Sequence, residues 1–138
     1  MATRNGSAQW SGSLNEGSGK LTVGDDVWTG GYSFASRFED GEGTNPEELI
    51  AAAHASCYSM ALSNILDKAG SPPQALDTRA DVTFQPGEGI TGIHLSVVGT
   101  VEGLDAEDFA KHAEEAKLNC PVSQAMTGTT ITLEASLG

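Results

Sequence analysis

Asn45-Pro46-Glu47-Glu48-Leu49-Ile50-Ala51-Ala52-Ala53-His54-Ala55-Ser56-Cys57-Tyr58-Ser59-Met60-Ala61-Leu62-Ser63-Asn64-Ile65-Leu66 is the stretch that decides the fold. Asn45 suits an N-cap, Pro46 the first helical position, and Glu47 and Glu48 the positive end of a helix dipole. The helix can run to Ala69, where Gly70 and then Pro72-Pro73 end it. From Leu49 to Leu66 no residue is charged, which reaches the lower length limit of a membrane span. Ala and Ser dominate the stretch, however, and His54 and Asn64 interrupt it, so entering lipid would gain little. A helix without a charged face belongs in a core. At 1.5 Å per residue, 46–69 measures roughly 36 Å, too long for a 138-residue monomer to surround. A second subunit covering the helix is expected.

Strand signals flank this helix. Upstream, Tyr32, Phe34 and Phe38 alternate with Ser33, Ala35 and Arg37, predicting a half-buried strand. Shorter pieces lie at Gln9-Trp10 and Leu21-Thr22-Val23. Downstream come Ala80 to Phe84, then Ile93, Leu95, Val97 and Val101, and finally Ile131, Leu133 and Ala135. Glycines at 30–31, 41–43 and 87–89 read as turns. A second helix is expected from an Asp105 cap, with Phe109, Ala110, Ala113 and Ala116 as its apolar stripe and Asn119 as its stop. No repeat or linker divides the chain, so one α+β domain over 1–138 is expected.

Composition narrows the function. Seven Lys and Arg stand against 19 Asp and Glu, a formal net charge of −12. So acidic a surface repels phosphate backbones and anionic lipid heads, leaving nucleic acid and membrane poor partners. The first residues carry no apolar segment of the secretory kind, and two cysteines are too few for a disulfide-stapled scaffold. A cytoplasmic location is expected, where a cysteine pair serves redox chemistry or metal binding.

Six positions could carry chemistry. Cys57 lies mid-helix, a place that fits a passive core thiol as well as a reactive one. Reactivity would require a thiolate, hence a nearby cation. Arg37 is the candidate, one of three arginines and set in an otherwise neutral stretch. Cys120 precedes Pro121 and could cap a short helix, whose free N–H groups would favour its thiolate. His54, three residues before Cys57, could be a base or a hydrogen-bonded core histidine. With Cys57, Cys120 and His112 it could also form a zinc set, although the spacing matches no compact knuckle. Glu47 is explained by the helix dipole alone. Ten residues of straight helix, about 15 Å, separate it from Cys57, so any role there needs a break or a partner subunit.

The stretches Tyr32-Ser33-Phe34-Ala35-Ser36-Arg37-Phe38-Glu39, Gly43-Thr44-Asn45-Pro46-Glu47-Glu48-Leu49, Ala51-Ala52-Ala53-His54-Ala55-Ser56-Cys57 and Cys120-Pro121-Val122-Ser123 occur in this order. Together they resemble the OsmC/Ohr family of thiol peroxidases, in its OsmC branch. The resemblance implies an OsmC-like fold in which β-sheets enclose central helices in an intertwined, swapped homodimer. It implies a peroxidatic Cys57, a resolving Cys120, a thiolate-stabilising Arg37 and a Glu47 that positions that arginine. The substrate implied is a hydroperoxide, and the implied reductant is an external dithiol of lipoyl or thioredoxin type. The neutral, apolar helix face around Cys57 suits organic hydroperoxides better, with hydrogen peroxide reduced more weakly. No cofactor or metal is implied. The competing reading is a non-enzymatic zinc-binding or dimeric scaffold protein with inert thiols.

Overall fold

The computed structural model describes residues 1–138, which form two compact units, Met1–Leu49 and Ile50–Gly138.

The first unit is a three-stranded antiparallel meander of β1 (Gly6–Ser11), β2 (Ser18–Val23) and β3 (Trp28–Tyr32), followed by a short helix α1 (Phe34–Phe38). Gln9 pairs with Lys20, and Leu21 with Gly30. Gly30 was expected in a turn and lies within β3. A Cβ there would collide with the Trp28 ring, so the strand keeps glycine to let the indole lie flat over it.

The strand expected over 32–38 ends at Tyr32, and 34–38 is helical. Ser33 caps it. Its Oγ accepts from the Ser36 N–H at 3.1 Å, while Ser36 Oγ accepts from the Ser33 N–H at 2.8 Å. This reciprocal box satisfies two amide donors that a strand would have left to a neighbour. Phe34 and Phe38 then fall one turn apart, with ring centroids 4.9 Å from each other.

The long helix α2 (Pro46–Lys68) begins in the first unit and runs on into the second. Asn45 Oδ1 accepts from the Glu48 N–H at 2.8 Å, the expected cap. At the other end the Ser71 N–H reaches Leu66 O at 2.9 Å and the Gly70 N–H reaches Asp67 O at 3.0 Å. Gly70 has φ +88°, completing a Schellman stop.

The second unit continues with β4 (Ala75–Gln85), β5 (Gly89–Thr100), α3 (Ala106–Asn119), α4 (Pro121–Ala125) and β6 (Thr130–Leu137). β4 and β5 form a hairpin, and β6 joins β5 in parallel, giving the order β4-β5-β6. The core lies between this sheet and the helices. Tyr58, Leu62 and Leu66 of α2 meet Leu95 and Val97 of β5 and Phe109, Ala113 and Ala116 of α3. Each large side chain so buried contributes about 1.5–3 kcal/mol. Asp105 caps α3 as expected, its carboxylate accepting from the Asp108 N–H at 2.8 Å. Ala110 is exposed rather than part of the stripe, because it sits about 100° around the helix from Phe109. Gly99 admits the Phe109 ring, which a Cβ would strike at 2.6 Å.

In length and composition α2 would pass for a membrane span. Its His54, Tyr58, Leu62 and Leu66 line the core of the second unit instead. The opposite face, Ala52, Ala53, Ser56, Met60 and Asn64, is exposed in the single chain.

Candidate active site

The second unit brings the two cysteines together. Cys57 stands in the middle of α2, and Cys120 ends α3 and opens α4. Their Sγ atoms share a hydrogen bond at 3.1 Å. Cys120 is fully buried, whereas Cys57 is half-buried and opens on a groove of about 580 Å³. Met60, Ala61, Ile65 and Pro121 supply the apolar lining, and Ser56, Asn64 and Asn119 the polar edge.

Burial, first, and then the shared hydrogen bond with Cys120 push the Cys57 thiol above its ordinary pKa. The Val122 backbone N–H, bonded to the Cys57 sulfur, pulls the other way. This corrects an expectation. Cys120 does cap α4, with Pro121 at its first position, but its thiol makes no capping hydrogen bond. A free amide of the α4 amino terminus serves Cys57 instead. The mid-helix cysteine thus gains from a helix N-terminus after all, one belonging to a different helix.

A second contact lies beside the thiol pair. His54 Nε2 and Ser123 Oγ are 2.7 Å apart, both residues buried. His54 therefore meets a hydroxyl and not Cys57, and burial lowers its pKa. Its Nδ1 is buried with no hydrogen-bond partner. Tyr58, next in the core, donates its hydroxyl to Ala113 O at 2.9 Å and is pushed above the ordinary phenol range, mainly by burial. His112 pairs with Glu115 at 3.9 Å. No group of three or more His, Cys, Asp or Glu side chains converges on a point where a metal could be held.

Arg37 and Glu47 meet within the first unit. Arg37 Nη2 donates to Glu47 Oε1 at 2.7 Å, and Nε donates to Oε1 and Oε2 at 3.2 and 3.1 Å. The guanidinium is thus held side-on by one carboxylate, with Glu47 nearly buried and Arg37 a third exposed. Its carbon also sits 5.3 Å from the Phe38 ring centroid. Helix α1 is what aims Arg37 here, since Ser36 donates to Thr44 O at 2.7 Å and Asn45 Nδ2 donates to Ser36 O at 2.9 Å. A pocket of about 240 Å³ beside the arginine is lined by Trp10, Leu14, Tyr32, Phe34 and Phe38.

Ser123 and the Val122 amide escaped the sequence reading. The available signal was symmetry of spacing, since Ser123 follows Cys120 by three residues as His54 precedes Cys57 by three.

Comparison with known proteins places the chain in a family. The family described as OsmC-like protein matches residues 39–134. Peroxiredoxin OsmC of Escherichia coli is 44% identical over 138 residues, covering 97% of this chain and 96% of that protein. An organic hydroperoxide resistance protein of Xanthomonas axonopodis is 32% identical over 91 residues, 64% of this chain and 63% of its own. Among solved structures, an OsmC-like protein of unknown function from Vibrio cholerae shares the fold with a TM-score of 0.75 at 16% identity, covering 98% of this chain and 99% of that one. The organic hydroperoxide resistance protein OsmC of Legionella pneumophila does so at 0.69 and 20%, covering 100% and 99%. With a family match over most of its length and a relative this similar end to end, the chain belongs to the OsmC branch of the OsmC/Ohr family.

Proposed function

We propose that this protein is a cysteine-based peroxidase that reduces organic hydroperoxides, and hydrogen peroxide more weakly, in defence against oxidative and osmotic stress. The observation that carries the reading is the pair of sulfurs 3.1 Å apart, one half-exposed and one buried. The naming of its relatives as a peroxiredoxin and as hydroperoxide resistance proteins supports it.

Cys57 is the peroxidatic residue, because a peroxide can reach it from the groove. Its thiolate attacks the outer peroxide oxygen, the O–O bond breaks, and the alkoxide leaves with a proton as alcohol. Cys57 is then a sulfenic acid. Cys120, already in contact, attacks that sulfur and expels water, leaving a Cys57–Cys120 disulfide. An external dithiol, lipoyl-type or thioredoxin-type, restores both thiols by two exchange steps and ends as a disulfide itself.

Burial opposes the thiolate this chemistry needs, and one amide offsets only part of that penalty. Arg37 supplies the remaining stabilisation and holds charge developing on the peroxide oxygens, while Glu47 fixes its fork. Since α2 runs unbroken and ten residues separate Glu47 from Cys57, the arginine comes from a second subunit. The two units act as one domain in an intertwined homodimer whose sheets enclose the central helices. The uncharged exposed face of α2, with Met60 76% exposed in the single chain, supports that assembly. The apolar linings of both cavities favour organic over hydrogen peroxide. The protein works in the cytoplasm, where thiols are kept reduced.

Peroxide consumption with a dithiol donor tests the reading, organic hydroperoxide against hydrogen peroxide. Faster consumption of the organic substrate is expected. No consumption of either overturns it.

A further inference from the structure

His54 and Ser123 take no part in the bond-making just described, yet they are buried against each other one turn from the sulfurs. Along α2, His54 precedes Cys57 by three residues; along α4, Ser123 follows Cys120 by three. The pairs are therefore 54 with 123 and 57 with 120, an antiparallel crossing with two side-chain rungs about 4.5 Å apart along the axis. α4 has five residues, too few to hold its own position by helix stability. The thiol rung must open and close during any redox cycle. The imidazole–hydroxyl rung is the one free to stay.

We propose that the His54–Ser123 hydrogen bond is a positioning device that holds α4 against α2, so that Cys120 remains within striking distance of Cys57 as the disulfide forms and breaks. A disulfide needs about 2.05 Å between sulfurs, so closing from 3.1 Å requires a movement of about 1 Å. A fixed rung one turn away permits that movement as a small pivot of α4 and forbids larger excursions. The chemistry of the rung suits the task. The buried imidazole is neutral, so its bond to the hydroxyl adds no charge beside the thiols. Its partnerless Nδ1 leaves the ring anchored through Nε2 alone. Breaking that one bond strands two polar groups in the core, which opposes separation of α4.

The inference builds on the proposed roles of the two cysteines, but its test does not require peroxidase activity. The Cys57–Cys120 disulfide is equilibrated against reduced and oxidised glutathione, and the effective concentration of one thiol toward the other is read from the thiol–disulfide ratio. Ser123→Ala should lower it by about tenfold, and Ser123→Thr, which keeps the hydroxyl, should stay within about twofold of the parent. The double variant His54→Phe, Ser123→Ala removes both polar partners, keeps the core filled, and should show the same loss while folded. It therefore also serves if Ser123→Ala does not fold. With one equivalent of organic hydroperoxide, disulfide closure after loss of the Cys57 thiol should slow about tenfold. An unchanged effective concentration in either folded variant lacking the hydroxyl overturns the proposal. Failure of the unmodified protein to react with peroxide would strike the peroxidase reading alone.

Discussion

The free thiol of Cys120 donates a hydrogen bond to that of Cys57, sulfur to sulfur at 3.1 Å, Cys57 half-buried and Cys120 without solvent contact. In the proposed mechanism that asymmetry divides the labour, a peroxide meeting Cys57 first and Cys120 acting on what has formed there. Cys120→Ser should consume about one peroxide per chain and then stop, with Cys57 held as a sulfenic acid or a mixed disulfide. Mass spectrometry with a sulfenic-acid trap reads this, and sustained turnover with a dithiol would remove Cys120 from the resolving role.

Arg37 is the residue on which the thiolate argument depends most. With burial holding Cys57 above its ordinary pKa, the thiol is mostly protonated at neutral pH unless a cation intervenes. Arg37→Met should raise the pH midpoint of Cys57 alkylation and slow peroxide attack by about 10²-fold or more at pH 7. Arg37→Lys should recover only part of the rate, because an ammonium cannot hold Glu47 side-on as Nε and Nη2 do. The comparison belongs in the Cys120→Ser background, by alkylation profiles and stopped flow. An unchanged profile in Arg37→Met would mean that the Val122 amide suffices.

Assembly can be attacked at a point remote from the chemistry. Met60 lies on the exposed, uncharged face of α2. If a second copy covers that face, Met60→Glu buries an unpaired carboxylate at a cost on the order of 3 kcal/mol, which weakens the dimer more than hundredfold. Sedimentation velocity over a dilution series measures it. A parent protein that is a folded monomer at micromolar concentration would contradict the swapped dimer.

His54 gives the fold a pH dependence of definite sign. Burial lowers its pKa in the folded state, so below about pH 6.5 the unfolded chain binds a proton the folded chain does not. The stabilisation is present above that pH and is lost as pH falls toward the depressed folded value. One such proton contributes at most about 1.4 kcal/mol per pH unit. Urea melts between pH 7.5 and 5 should show this slope, and it should be shallower in the His54→Phe, Ser123→Ala variant. Equal slopes would show that His54 is not the group responsible.

What was legible in the sequence is what local chemistry determines. Asn45-Pro46 opens α2 and Gly70 closes it through contacts within a few residues, so both ends can be read directly. The error at 34–38 has a physical cause. Two phenylalanines four residues apart satisfy an even strand period and one helical turn equally well, and Ser33 with Ser36 is the detail that discriminates. Cys120 was legible as a cap because Pro121 marks it. The amide that α4 gives to Cys57 was not, because it joins residues 65 positions apart in the chain and depends on how two helices cross. The same holds for Ser123, whose partner is 69 positions away.

In the proposed mechanism one peroxide oxidises one Cys57 and ends as one Cys57–Cys120 disulfide. The most direct measurement is a single-turnover titration of the reduced protein with an organic hydroperoxide, counting free thiols and mapping the disulfide by mass spectrometry. One equivalent per chain should remove both thiols and produce that single linkage, and Cys57→Ser should leave the peroxide intact. Thiols that persist after a stoichiometric dose, or peroxide loss that continues in Cys57→Ser, would contradict the account.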